Sequence, residues 1–142
     1  MKGRSAWYWK QGLNVEYWKG ANLPPHLLEA GVERCWIKVT CSSEPIYLCV
    51  VYMPTEDSGE SKSGKMDQIL EVMDLDQEEL ISIKATSLLY GDFNSHIGDP
   101  SDSSLGIPGN NQGIGDNGFK LLTWLKKWDK LVVNSEGVTK GL

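Results

Sequence analysis

The stretch Leu88–Asp99, LLYGDFNSHIGD, decides how the rest of the chain is read. Leu88, Leu89 and Tyr90 run into Gly91, and Asp92 and Asn94 follow two residues apart. A buried strand over Leu88–Asn94 puts Asp92 and Asn94 on one face and turns Phe93 into packing on the other, because strand side chains alternate. Gly91 lets the backbone bend or lets a ligand come close. An acid and an amide side by side at a strand end can hold a water and a phosphate oxygen, or a hard cation, which prefers oxygen ligands. The same string also suits a plain turn, since Asp and Asn bond their own backbone and tolerate turn geometry. A helix–loop–helix calcium site is excluded. Its sixth and twelfth positions, counted from Asp92, should be glycine and glutamate, and here they are Ile97 and Ser103.

Working outward, Ser87–Asn94 is the expected central strand. Before it, Met66, Ile69, Leu70 and Met73 recur at helical spacing and predict a short amphipathic helix, with the methionines filling gaps in a core. Asp76 can cap a second helical piece, with Glu79 three residues on and Leu75 facing Leu80. Thr55–Gly64 is polar and reads as a loop. Cys35–Cys41 alternates, with Cys35, Ile37, Val39 and Cys41 on one face and Trp36, Lys38 and Thr40 on the other, which predicts a strand with one covered face. Ser42–Pro45 is a turn by composition, and the apolar run Ile46–Tyr52 fits a strand buried on both faces. The two strands read as an antiparallel hairpin. Tyr52 ends the second as a half-buried aromatic with a wet hydroxyl.

Residues 1–31 crowd Trp7, Tyr8, Trp9, Tyr17 and Trp18 with Lys2, Arg4, Lys10 and Lys19. Such interleaving suits either base stacking with phosphate contact or a sheet edge seeking a partner surface. Gly12–Tyr17 can be a strand, and Pro24-Pro25 marks a loop with no helix before it. After the central stretch, His96 could act beside the acid or be an ordinary loop residue. Asp99–Gly115 is a long Gly/Ser/Asn/Pro loop. Asp116 or Asn117 then caps a helix whose apolar face is Leu121, Trp124, Leu125 and Trp128, with Lys126, Lys127 and Lys130 near its C-terminal end, where cations suit the helix dipole. A strand is expected to begin at Leu131–Asn134.

At 142 residues, 40% of them hydrophobic, the chain suits one domain with a core. No apolar run approaches the length of a membrane span, and no signal-like segment follows the basic start. Cys35, Cys41 and Cys49 are odd in number and read as reduced core thiols of an intracellular protein, nuclear or cytoplasmic. The net charge of −5 argues against a strong nucleic-acid binder. That charge sits mostly in Glu56–Glu79, with nine acids against two lysines, a composition that a solvated surface explains.

GDFNSHIG resembles the GDFN signature of the endonuclease/exonuclease/phosphatase superfamily, the DNase I-like fold, and most of all the endonuclease domains of LINE-type retrotransposons and the related craniofacial development protein group. CVVYMP (Cys49–Pro54) resembles the strand ending in Tyr-x-Pro that precedes that signature. DNGFKLLTWLKKWDKLVVNS (Asp116–Ser135) resembles the helix and strand that follow it. The likeness covers roughly Glu33 to Ser135 of a single domain spanning 1–142. It implies an α/β fold, a sandwich of two mostly antiparallel sheets flanked by helices, and hydrolysis of a phosphodiester in DNA by water with Mg²⁺. By the same resemblance Asp92 would orient or activate the water, Asn94 would bond the phosphate oxygens and Tyr52 would bond the phosphate.

The chain departs from that pattern at both ends. No Gln-Glu-Thr-like motif with a metal-ligating glutamate precedes Glu33, and Glu16 and Glu29 lack its context. No Ser-Asp-His ending follows Asn134, and His26 and His96 do not match one. The metal ligands are therefore unassigned. The expectation is a partial endonuclease-like domain, a fragment that alone does not hydrolyse DNA, because losing one member of a cooperating site costs orders of magnitude in rate. The alternative is a non-catalytic remnant, or a half-domain that meets a protein partner through exposed apolar surface.

Overall fold

Four stretches pair into one sheet, the first three of them rich in β-branched and aromatic residues. β1 (Asn14–Trp18), β2 (Arg34–Thr40), β3 (Pro45–Tyr52) and β4 (Thr86–Asp92) lie across it in that order. β1–β2 and β2–β3 are antiparallel, and β3–β4 is parallel. The hairpin joining β2 to β3 forms where the composition predicts it. A parallel neighbour cannot be reached by a tight turn, and α3 (Lys65–Ser82) lies on the path from β3 to β4. The computed structural model describes residues 5–95 and 115–130. The chain divides into two compact units, Met1–Pro54 with Gly64–Phe93, and Thr55–Ser63 with Asn94–Leu142. The protein is thus mixed α/β with an open four-stranded sheet flanked by helices. Among the described residues there is one sheet, not two.

The first unit buries one face of this sheet. Trp36, Tyr47, Cys49 and Val51 point into a core shared with Leu27 of α1 (Pro25–Ala30) and with Met66, Ile69, Val72, Met73 and Leu80 of α3. Trp18 joins this face, edge-on to Trp36 and Tyr47 with ring centroids 5.1 and 5.3 Å apart. α1 starts on Pro25, whose fixed φ suits a first helical position, and stops at Gly31 in the left-handed conformation. Thus Pro24 marks the end of a loop, as the sequence predicts, and Pro25 opens a helix.

Three expectations are corrected here. β3 is not buried on both faces: Tyr47, Cys49 and Val51 are buried while Ile46 and Tyr52 are 37% and 54% exposed. Among the described residues of the first unit, helices cover one side of it. β4 alternates in the same way, with Leu88 and Tyr90 exposed, so the central stretch is not a buried strand. α3 is one continuous helix of 18 residues. Asp76 caps nothing; it sits inside the helix, fully buried, on the face of Met66, Ile69, Val72, Met73 and Leu80. No glycine or proline interrupts Lys65–Ser82, and its residues are mostly good helix formers, so propagation outweighs a local cap.

The second unit contains α2 (Gly59–Lys62), a single turn within the expected loop, and α4 (Asp116–Lys127). Leu121, Leu122, Trp124 and Leu125 are buried along α4, Trp128 is half-buried, and Lys127 Nζ lies 5.1 Å above the Trp128 ring. Neither Asp116 nor Asn117 caps α4. Gly115 holds the cap position without a side chain to offer, and the Glu56 carboxylate accepts from the Asn117 N–H at 3.1 Å instead. Partial burial lowers the Lys130 ammonium below its ordinary pKa. His96, the loop from Asp99 and the strand expected at Leu131–Asn134 lie outside the described residues, apart from Gly115. No described helix is long and apolar enough to cross a membrane. The cysteines are all free, but only Cys49 is buried; Cys35 is half-buried and Cys41 is exposed, so the expectation of three core thiols is corrected.

Candidate functional site

Tyr52 and Asp92 are register partners at the last positions of the parallel strands β3 and β4. The ladder continues one step further, where the Met53 N–H donates to the Asp92 carbonyl oxygen at 3.0 Å. Partners in register project to the same side of a sheet, and neighbouring strands are about 4.8 Å apart. Counting back by twos gives the pairs Val50–Tyr90 and Leu48–Leu88, so Tyr52 and Asp92 belong to the face that α1 and α3 leave uncovered. Both residues are solvent-exposed.

Gly91 explains how Asp92 comes to lie there. Its φ is +148°, and a Cβ built on it would overlap the Val51 carbonyl of the neighbouring strand. The sequence offered a bend or an approaching ligand; the structure uses the missing side chain for close approach of backbone to backbone. Any other residue would push β4 away from β3 just before Asp92.

Asn94 does not follow the alternation expected of it. β4 ends at Asp92, and Asn94 lies beyond it in the second unit with a left-handed φ of +41°, a conformation that asparagine tolerates. The period-two argument therefore fails for Asn94, because the strand stops before reaching it. Phe93 is half-buried. Of the three residues expected to act together, the sheet brings Tyr52 and Asp92 side by side.

Mg²⁺ takes one or two carboxylates with several waters in near-octahedral geometry. Among the described residues no three His, Cys, Asp or Glu side chains come together as a metal cluster. Asp92 supplies one carboxylate, and these residues do not by themselves make a complete cation site.

The aromatic N-terminus divides by use. The Trp7 indole N–H donates to the Cys35 carbonyl at 2.9 Å, and its ring stands edge-on to Tyr90 at 5.8 Å. Cys35, Val50 and Tyr90 form one cross-strand row, so Trp7 lies over the row next to Tyr52 and Asp92. Trp18 is spent in the core, while Tyr8, Trp9 and Tyr17 remain exposed.

A polar centre that sequence patterning missed lies under the covered face. Asp76 accepts from Ala21 N–H at 2.7 Å, from Trp36 Nε1 at 2.8 Å, and from the Arg34 guanidinium. Gly20, at φ +81°, passes so close that a Cβ would strike Arg34 and Asp76. The only signal for this centre in the sequence was an acid on the apolar stripe of a predicted helix. Comparison with protein-family models, with curated proteins and with solved structures returned no match.

Proposed function

We propose that the chain is part of a phosphodiester-hydrolysing domain of the endonuclease/exonuclease/phosphatase kind, of retrotransposon origin, and that it supplies the phosphate-contacting half of the site. The observation that supports this reading is the register of Tyr52 against Asp92. A phenol donor and a carboxylate stand side by side at the carboxyl ends of two parallel strands, the end of an open sheet at which ligands commonly bind. In this reading Tyr52 Oη donates to a phosphate oxygen of DNA. Asp92 orients the attacking water by accepting its hydrogen bond, or activates it by taking its proton. Asn94 adds a further donor to the phosphate. Charge developing on the phosphate needs fixed donors or a cation. The described residues do not complete a site for Mg²⁺. Turnover is not assigned to this chain alone, because the glutamate and Asp-His motifs of the resembling family are missing from its sequence.

The test is amide NMR of the purified chain, titrated first with Mg²⁺ and then with a short DNA duplex, with nicking of supercoiled plasmid followed in parallel. The expected result is DNA-dependent shifts centred on Tyr52 and Asp92, without nicking. Asp92→Ala should remove those shifts and leave the fold intact. Shifts located elsewhere, or none from a folded chain, would overturn the phosphate-contact reading. Nicking that survives Asp92→Ala would overturn the site assignment. One observation favours a second, non-catalytic reading as a protein-contact module: Tyr17, Ile46, Leu88 and Tyr90 are exposed on the sheet face that α1 and α3 do not cover.

A further inference from the structure

Residues 1–15 contain Lys2, Arg4 and Lys10 and no acid, in a chain whose net charge is −5. Trp7, Tyr8 and Trp9 lie within that same stretch. Its aromatic part is held at one point. The Trp7 indole N–H donates to the Cys35 carbonyl, and the Trp7 ring stands edge-on to Tyr90. Trp7 is half-buried in this seat, whereas Tyr8 and Trp9 are 93% and 53% exposed and Lys10 is exposed beside them. Single exposed aromatic residues are ordinary. Two in succession, anchored by a third and followed by a lysine, offer ring faces with a cation at their edge, the combination that holds unpaired bases and their phosphates.

The anchor sets where these rings lie. Trp7 covers the row of Cys35, Val50 and Tyr90, and Tyr52 and Asp92 stand two strand positions further on the same face. Two positions along a strand are about 7 Å. Tyr8 and Trp9 follow the anchor at about 3.8 Å per residue between Cα atoms. A nucleotide whose phosphate meets Tyr52 therefore has its own base, or its neighbour's, within reach of this segment. We propose that Tyr8, Trp9 and Tyr90 form a base-stacking subsite for unpaired DNA, that Lys10 meets the flanking phosphate, and that Trp7 positions the subsite beside Tyr52 and Asp92. The inference rests on the phosphate reading of those two residues and adds the class of substrate.

The rings select unpaired DNA. Within a duplex each base is stacked on its neighbours, so an aromatic side chain meets a base face only where the strand is single or the base has left the stack. Charge selects a polyanion: Glu16, the nearest acid in sequence, lies 3.8 Å from Lys38 and so is paired away from Lys10. An acidic peptide would satisfy Lys10 and leave the ring faces without a planar partner. The overall charge of −5 opposes any polyanion, so binding is modest and falls with salt.

Fluorescence anisotropy of labelled oligothymidylate, and of a duplex of the same length, titrated with the full purified chain tests this. The expected result is an affinity for the single strand at least about tenfold above that for the duplex, with tryptophan emission quenched by the single strand. Tyr8→Ala combined with Trp9→Ala should weaken single-strand binding at least about fivefold and change duplex binding by less than about twofold. Both side chains are exposed, and circular dichroism checks that the fold is kept. Trp7→Phe keeps a ring and loses the indole N–H, and should lower the ratio of single-strand to duplex affinity. Lys10→Gln should reduce the slope of log affinity against log salt by about 0.7. Amide NMR with oligothymidylate separates this inference from the reading beneath it. Shifts at Tyr52 and Asp92, with binding indifferent to the double variant, overturn the stacking subsite and leave the phosphate reading standing. Binding that the double variant weakens, without shifts at Tyr52 and Asp92, overturns the phosphate reading and the placement of the subsite beside it. Equal affinity for single strand and duplex, or for polyglutamate of matching charge, overturns the proposal.

Discussion

The Arg34 guanidinium meets the Asp76 carboxylate with two nitrogens, Nε on Oδ2 and Nη2 on Oδ1 at 3.0 Å, and so ties β2 to the middle of α3. Asp76 is fully buried and the Arg34 side chain is 8% exposed. The Ala21 N–H and the Trp36 indole occupy the remaining capacity of the carboxylate. A buried ion pair gains little over an apolar substitute. Its consequence here is positional: one carboxylate fixes the segment after β1, the start of β2 and the face of α3.

Asp76→Ala should therefore destabilise the chain by about 3–5 kcal/mol, because it strands Arg34 in the core together with two unpaired N–H groups. Urea denaturation followed by tryptophan fluorescence measures this. Arg34→Met with Asp76→Leu should recover only part of the loss, since the Trp36 and Ala21 donors stay unpaired.

Gly91→Ala tests the close approach of β4 to β3. The substitution combines a φ of +148° with overlap on the Val51 carbonyl, and should cost about 2 kcal/mol or more. Gly59→Ala, in α2 with nothing within 4 Å of the new methyl, serves as the control and should be near neutral. Equal midpoints for the two variants in chemical denaturation would contradict the strand geometry before Asp92.

The three thiols should react in order of exposure. Burial pushes the Cys49 thiol far above its ordinary pKa, so it carries almost no thiolate in the folded chain. Iodoacetamide followed by peptide mass mapping should modify exposed Cys41 first and half-buried Cys35 next. Cys49 should react only after unfolding.

Glu56→Ala removes the acceptor at the start of α4 and should weaken that helix by about 1 kcal/mol. The Asn117 amide should then exchange with deuterium faster, by about fivefold or more. Glu56→Gln keeps a carbonyl acceptor and should retain most of the protection. Unchanged exchange in Glu56→Ala would show that the Glu56–Asn117 bond contributes nothing in solution.

Local patterns carried most of the first unit. Alternation located β2, turn composition located the hairpin, and the spacing of Met66, Ile69 and Met73 located the buried face of α3. What could not be read locally depended on partners far along the chain. Asp76 looked like a cap because its four donors lie 40 or more residues away. The α4 cap was assigned to its own first residues because Glu56 is 61 residues distant. Ile46–Tyr52 looked doubly buried because an apolar run does not say how many layers cover it. At the candidate site, Tyr52 and Asp92 were legible only as separate motif ends, and their adjacency came from the parallel register. Asn94 was misplaced because nothing local marks the last residue of a strand.

The parallel pairing of β3 with β4 also sets an order of assembly. β1, β2 and β3 form a meander of successive neighbours, whose connections are both shorter than the one from β3 to β4, so it can form early. β4 can join only after the chain has run through α3 and returned, so its pairing waits on a long loop closure that contacts made earlier must offset. Asp92 is the last residue of that last strand. On a ribosome or after dilution from denaturant, the Tyr52–Asp92 pair would be among the final features to appear. In a chain interrupted before Thr86, Tyr52 has no acid beside it, since its register partner Asp92 is not yet made.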